Sequence, residues 1–270
     1  MRFLLLDLMT LLTDHYRDSS MQPEARMSEV EVSGLQGELS SLLGPRGLEL
    51  HPFLVGWYNQ QVGDKFHLLH PADTLAFVVI SQPCMFEQAF LPFLACSKLD
   101  SIHDPIDQCM LEQFSLVTSL HPDTESLHDF QLGPTRRPRV LVQTAGHVAG
   151  AARFYQPQDM EQLDTEGRKL FPVSHHPVWG GWFALRGVIV FRGVRAELGR
   201  REPKDELTAE QAAELVKRYN GNWQDWRWRD VGREAGAKYS DVQINYFETP
   251  PAERRPVIDA LVAAVARKTE

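Results

Sequence analysis

From Thr74 to Ser81 the chain reads Thr-Leu-Ala-Phe-Val-Val-Ile-Ser, a run without charge or turn formers. Leu75, Phe77, Val78, Val79 and Ile80 fall at both odd and even positions, so a strand here buries both of its faces. The run therefore predicts a central strand with packing partners on either side.

Helical patterns flank it. Leu35, Leu39, Leu42 and Leu43 share one face of a helix that stops at Gly44-Pro45-Arg46-Gly47. Met85, Phe86, Ala89, Phe90 and Phe93 have helical spacing, and Pro92 is expected to kink or end that element. Asp104 followed by Pro105 is a cap and first-turn pair, leading into a helix with Cys109, Met110, Phe114 and Val117 inward. A second strand is predicted over Arg139 to Thr144, running into the small-residue segment Gly146 to Ala152, where another group can approach the backbone closely. A third starts at Gly180-Gly181 and alternates from Trp182 to Phe191. That alternation puts Trp182, Ala184, Arg186 and Val188 on one face and leaves Arg186 in need of an anionic partner among apolar neighbours.

A length of 270 residues fits a main domain with a smaller lobe. Residues 1–27 read as an extension outside the fold, 28–200 as the core and 201–270 as a C-terminal lobe, since composition becomes more charged from about Glu202. The lobe opens on a capping box, Thr208 to Gln211, whose helix carries Leu215, Val216 and Tyr219 and ends at Asn220-Gly221; a last helix is expected from Pro256.

Composition excludes several classes of function. Hydrophobic residues are 43% of the chain, which argues against disorder, and no apolar run approaches the roughly 20 residues that span a bilayer. Asp7 interrupts the leucine-rich start, so a secretion signal is not expected. Cys84, Cys96 and Cys109 have no ligand or disulfide spacing, which fits a reducing, cytoplasmic setting. The net charge of −8, without a basic block, speaks against nucleic acid. No HExxH, phosphate-loop, GxSxG or dinucleotide glycine pattern is present.

Three segments invite chemistry. His147-Val148-Ala149-Gly150 matches part of the cobalamin motif DxHxxG, but position 145 is Ala, so the carboxylate that would orient the histidine is missing; a histidine bonded within a loop reads equally well. His175 and His176 are adjacent on extended chain and point opposite ways, which disfavours a shared metal. Asn222 to Asp230 packs three tryptophans and two arginines into nine residues, suited either to covering a flat ring while fixing carboxylates or to an aromatic core strand with a solvated ion-pair face.

Several strings resemble the MMACHC (cblC-type) cobalamin-processing family in order and spacing. They are His51-Pro52-Phe53 with Gly56-Trp57-Tyr58-Asn59, Asp104 to Cys109, Arg136-Arg137-Pro138, Gln143 to Ala152, Gly180 to Gly187, the tryptophan segment and Thr249-Pro250-Pro251-Ala252. The resemblance spans roughly residues 33–260. It implies an α+β fold like the flavin-dependent nitroreductases, an antiparallel-rich sheet flanked by helices, with a small C-terminal cap lobe that closes over cobalamin. It implies base-off binding without a protein ligand to cobalt, glutathione-dependent dealkylation of alkylcobalamins, and reductive decyanation of cyanocobalamin with electrons from FMN or FAD. By residue match, Arg186, Arg229 and Arg254 correspond to glutathione-binding arginines. His147, Gly150, Tyr155, Gln156, Gly180, Gly181, Trp182, Phe183, Trp226 and Tyr239 correspond to cobalamin-pocket positions; no catalytic residue is assigned. A cblD-type trafficking partner, cobalamin-dependent methionine synthase downstream, a ligand-dependent homodimer through the Pro134 to Pro138 loop and a thiol oxidase side activity are also implied. Arg153 and Phe154 before Tyr155, Phe171-Pro172, and Val178-Trp179 before the paired glycines depart from the family pattern. A carrier without chemistry and a generic flavin reductase are the competing readings.

Overall fold

The computed structural model describes residues 26–97, 104–160, 169–233 and 236–269. A short β1 (Arg26–Met27) precedes α1 (Glu29–Leu43), β2 (Leu48–Leu54), α2 (Val55–Asn59) and β3 (Thr74–Ser81). A π-helical turn, Phe86–Phe90, runs directly into α3 (Leu91–Cys96); α4 (Pro105–Leu120), β4 (Thr124–His128), α5 (Val142–Val148), β5 (Arg153–Tyr155) and β6 (Val173–His175) follow. The long β7 (Ala184–Ala196), α6 (Ala209–Gly221), a 3-10 turn at Trp226–Asp230, α7 (Asp241–Glu248) and α8 (Arg254–Thr269) come last.

The expected central strand is β3, buried along its whole length. It pairs antiparallel with β2 on one edge and β7 on the other. The far edge of β7 takes β4 antiparallel and, further along, β1 in parallel, so the sheet is mixed but mostly antiparallel. Leu75, Phe77 and Val79 of β3 join Ile189 and Phe191 of β7 in a core covered by α1, α3 and α4. Ala76, Val78 and Ile80 join Val188 and Val190 on the other face, beneath α5 and the Val55-to-Tyr58 turn. Both faces are thus dry, as an uncharged strand requires.

Three expectations need correction. Arg139 to Thr144 is not a strand: Leu141 donates its N–H to the Tyr58 hydroxyl (2.9 Å) and α5 begins at Val142. The apolar Val140-Leu141-Val142 has no period that separates strand from helix, and packing decided; a Cβ on Gly146 would sit 2.8 Å from Leu185 Cδ2, so this helix lies close against β7. Pro92 stands just after the π-helical turn ends at Phe90, in the first turn of α3, so the helical run of Met85 to Phe93 does change its winding beside the proline. The strand expected from Trp182 begins at Ala184, and its alternation breaks at a bulge between Leu185 and Gly187. The last helix starts at Arg254, two residues before Pro256.

Arg26 and Met27, the end of the expected extension, pair with Arg195 and Ala196; the rest of that extension lies outside the described residues. The expected C-terminal lobe divides between two clusters. Leu207, Leu215, Val216, Trp228 and Val231 pack with Tyr155 and Val173 of the separate β5–β6 sheet, whereas Tyr246, Ile258 and Leu261 enter the main core.

Candidate functional site

Between the start of β7, strand β6, the end of α6 and the turns around α7 lies an open cavity of about 710 Å³. Arg186, Arg229 and Arg254, separated widely in sequence, all line it, together with Gly181, Phe183, Trp226 and Tyr239.

Arg186 reaches the cavity through the bulge. Val79 pairs with Gly187 and Ile80 with Leu185, so Arg186 is the extra residue, and Leu185 packs in the same cluster as Val188. An extra residue re-aims the side chain it carries. Arg186 leaves the Val188 face expected for it and is 8% exposed, with Nε donating to Ser81 Oγ at 2.9 Å. The anionic partners are at longer range: Asp107 and Asp129 both feel its charge. Burial, reinforced by Asp104 and Asp129, raises the Asp107 carboxyl to about 6, against the pull of Arg186 and Arg254.

Arg254 opens α8, donating from Nε to the Thr249 carbonyl (2.9 Å) with its guanidinium 4.7 Å above the Tyr246 ring. Arg229 is held differently. Its Nη1 donates to the carbonyls of Gly181 and Phe183, and the guanidinium lies 4.3 Å from the Trp228 ring, 5.0 Å from Trp226 and 5.1 Å from Tyr239. Such rings stabilise a buried cation through their negative faces. Burial lowers the Arg229 pKa, yet a guanidinium stays charged here.

The paired glycines make this arrangement possible. Gly181 donates its N–H to the Arg229 carbonyl (3.0 Å), and a Cβ at 181 would fall 2.6 Å from Arg229 Cα. Gly180 has φ +61° and exchanges two backbone bonds with His176. The tryptophans take separate positions. Trp226 is on the wall, stacked at 10° and 6.0 Å on Trp182, which sits behind it and donates from Nε1 to Asp230. Trp228 packs edge-on against Tyr219, and Trp223 stands at the rim, 65% exposed.

Other expected residues lie elsewhere. Tyr155 and Gln156 line a second cavity of about 360 Å³ with Arg153, Asp205 and Leu207; the Tyr155 hydroxyl donates to Asp205 at 2.5 Å, and burial and that carboxylate push its pKa up. Gly150 borders a recess of about 120 Å³ beside His51 and Trp57. His147 is half-buried, its Nδ1 accepting the Phe154 N–H at 3.4 Å, and is not among the residues around the arginines. The sequence reading missed Tyr219, Phe247 and Glu248 as wall residues. Tyr219 was legible only as a helix face, while the other two adjoin the noted Thr249 to Ala252 string.

Glu49, His51 and His176 bring potential ligand atoms within 4.8 Å of one another. The hydrogen bonds speak against a metal there. His176 Nδ1 accepts the N–H groups of Val178 (3.1 Å) and Trp179 (3.2 Å), so its proton belongs on Nε2, facing Glu49 at 3.6 Å. A metal-bound histidine shows the reverse, with its remote nitrogen donating. Glu49 also accepts from Trp179 Nε1 and lies 3.3 Å from His51 Nε2; despite burial, these donors hold its pKa far below the usual carboxylate range. His175 turns the opposite way, to the Val231 carbonyl (3.1 Å), as adjacent extended residues should.

The profile of the methylmalonic aciduria and homocystinuria type C family (MMACHC) matches residues 47–258. A Gallus gallus protein named cyanocobalamin reductase / alkylcobalamin dealkylase is 47% identical over 221 residues, covering 80% of this chain and 92% of that protein. A Homo sapiens protein of the same name is 40% identical over 230 residues, with 84% and 81% covered. A crystal structure of a C. elegans B12-trafficking protein, CblC, described as a homologue of human MMACHC, superposes with a TM-score of 0.77 at 30% identity, covering 87% of this chain and 98% of that one.

Proposed function

The chain belongs to the methylmalonic aciduria and homocystinuria type C family, and from that premise we propose that it is a cyanocobalamin reductase and alkylcobalamin dealkylase. It binds cobalamin and removes the upper axial ligand. The observation that carries this reading is the convergence of Arg186, Arg229 and Arg254 on one aromatic-walled cavity.

Dealkylation needs a nucleophile held near the alkyl group. Glutathione carries two carboxylates, for which planar guanidinium groups are matched donors, and nearby positive charge favours the thiolate that attacks. The sulfur forms a bond to the alkyl carbon as the cobalt–carbon bond breaks, its electron pair remaining on cobalt; the products are a thioether and cob(I)alamin. Arg186 and Arg254 present guanidinium donors to the carboxylates, and Arg229, anchored by two carbonyls, adds fixed positive charge. Decyanation takes electrons from reduced FMN or FAD. Cobalamin is bound base-off, with Tyr155 and Gln156 toward its nucleotide tail and His147 a lining residue rather than a cobalt ligand.

The finer architecture belongs to the same reading: a nitroreductase-like core, residues 201–270 as the cap, and ligand-dependent homodimers through the exposed Pro134 to Pro138 loop. So do a cblD-type partner, methionine synthase as recipient and a cytoplasmic setting. Among the described residues no helix is long and apolar enough to cross a membrane.

The test is the visible spectrum of the purified protein with methylcobalamin and glutathione under anaerobic conditions. A base-off shift followed by cob(I)alamin is expected. Arg186→Gln should slow the second phase far more than it weakens the first. A shift without dealkylation would make the protein a carrier, and equal loss of both phases in the variant would remove glutathione from Arg186.

A further inference from the structure

Among the described residues, the charged side chains of the cavity wall are Arg186, Arg229, Arg254 and Glu248. Glu248 is the last residue of α7, where the negative end of the helix dipole disfavours a carboxylate and favours a cation. Its side chain is nonetheless held in place: Trp226 Nε1 donates to Oε1 at 2.7 Å, and the Trp226 ring is stacked on Trp182. Among the described residues Oε2 accepts no hydrogen bond, and Glu248 forms no ion pair with any of the three arginines. The wall thus carries a fixed carboxylate with one oxygen open.

Its neighbours define what fits beside it. Arg254 donates from Nε to the carbonyl of Thr249, the residue after Glu248, at 2.9 Å. A guanidinium and a carboxylate therefore line the cavity from adjacent stretches of backbone. On another side, the Trp226 ring bonded to Glu248 lies 5.0 Å from the Arg229 guanidinium. The head of an α-amino acid carries an ammonium and a carboxylate on one carbon, and a carboxylate beside a guanidinium is the complementary pair of receptors. Arg186 reaches the same cavity from a separate element, β7.

We propose that Glu248 binds the α-ammonium of the γ-glutamyl residue of glutathione, with Arg254 on the α-carboxylate of that residue and Arg186 on the glycine carboxylate. The charges match one for one. The wall carries three positive groups and one negative, while the glutathione thiolate carries two carboxylates, a sulfur anion and one ammonium. Arg229, whose Nη1 is committed to the carbonyls of Gly181 and Phe183, favours the thiolate through its field. The Glu248 contact makes and breaks no covalent bond. It orients the nucleophile, and it makes the cavity select a zwitterionic head over a plain dicarboxylate. The inference rests on the glutathione reading above.

Two probes isolate the ammonium: S-methylglutathione, and its glutaryl counterpart in which hydrogen replaces the amino group. Both keep two carboxylates, and neither has a thiol to react. Titrated calorimetrically into the cobalamin-loaded full chain, S-methylglutathione should bind about 3- to 5-fold more tightly than the glutaryl ligand, the scale of an ion pair at an exposed side chain. Glu248→Gln, whose amide oxygen can still accept from Trp226, should bind the two alike by losing affinity for S-methylglutathione alone. Glu248→Asp should keep part of the preference. If Glu248→Gln does not fold, the preference of the unaltered protein and its reduction in Glu248→Asp decide. Equal affinity of the unaltered protein for both ligands, or a Glu248→Gln variant that weakens both to the same extent, overturns this proposal alone. Failure of S-methylglutathione to bind the unaltered protein overturns it together with the glutathione reading.

Discussion

Arg186 donates through Nε to the Ser81 hydroxyl across the register slip between β3 and β7, at 2.9 Å. The bond spans the junction of core and cavity: Ser81 is the last residue of the buried strand, and the guanidinium it holds is part of the cavity wall. A hydrogen bond to a charged donor in a buried setting contributes about 1.5–3 kcal/mol. Ser81→Ala should therefore lower stability in urea unfolding by about that amount and weaken glutathione binding, while Ser81→Thr, which keeps the hydroxyl, should retain most of both.

Two glycines should respond to alanine with opposite signs. At Gly181 the new Cβ would lie 2.6 Å from Arg229 Cα and 2.9 Å from Trp228 Cζ3, so the 3-10 turn must shift and carry Arg229 and Trp226 with it. The cobalamin-induced spectral change of Gly181→Ala should require about tenfold more ligand, with far-UV circular dichroism little altered. Gly34, in the middle of α1, has nothing within 4 Å of its prospective Cβ, and Gly34→Ala should stabilise the protein by about 0.5–1 kcal/mol in the same unfolding assay.

Trp223 borders the cavity while remaining largely exposed, and its backbone carbonyl accepts Trp228 Nε1–H (3.0 Å). Trp223→Ala keeps that carbonyl. Its melting temperature should stay within about 2 °C of the parent, whereas cobalamin affinity, followed by fluorescence quenching, should fall about 3- to 10-fold through loss of an aromatic face. An unchanged affinity would remove Trp223 from the binding surface.

Burial lowers the His128 pKa from its ordinary 6.5 to about 4. The unfolded chain takes up a proton at this residue as pH drops below about 6.5, and the folded one does so only near 4; folding stability contributed by neutral His128 is thus lost as pH falls through that window. Asp107 works in the opposite direction, its raised pKa favouring the folded state below about 6. Comparison with His128→Phe isolates the histidine, since a phenyl ring can remain between Phe114 and Phe130. The variant should lose less stability than the parent between pH 7 and pH 5 in chemical unfolding, and an identical loss would refute the assignment.

The strongest sequence patterns were an uncharged apolar run and two helix caps. The uncharged Thr74–Ser81 run became the central strand, Asp104-Pro105 became the cap and first turn of α4, and Thr208 with Gln211 became a capping box. The two caps rest on contacts within a few residues and the strand on an unbroken uncharged run, so each can be read from a short window. The segment around Val140 to Val142 could not: its side chains suit strand or helix equally, and the Tyr58 hydroxyl and the face of β7 decided.

The site divides along the same line. The identities of the three arginines, the paired glycines and the aromatic cluster follow from the amino-acid sequence, because residue type and order alone carry the family resemblance. Their meeting on one cavity does not, since Arg186, Arg229 and Arg254 come from a bulged strand, a 3-10 turn and a helix start brought together by long-range packing. The bulge that re-aims Arg186 exists only once β3 and β7 pair, and the burial that leaves Asp107 ready to accept a proton exists only once α4 lies against the sheet. Sequence alone determined which chemical groups this protein possesses. Tertiary structure decided which of them share a solvent-poor space, where charge, distance and desolvation set what they can do.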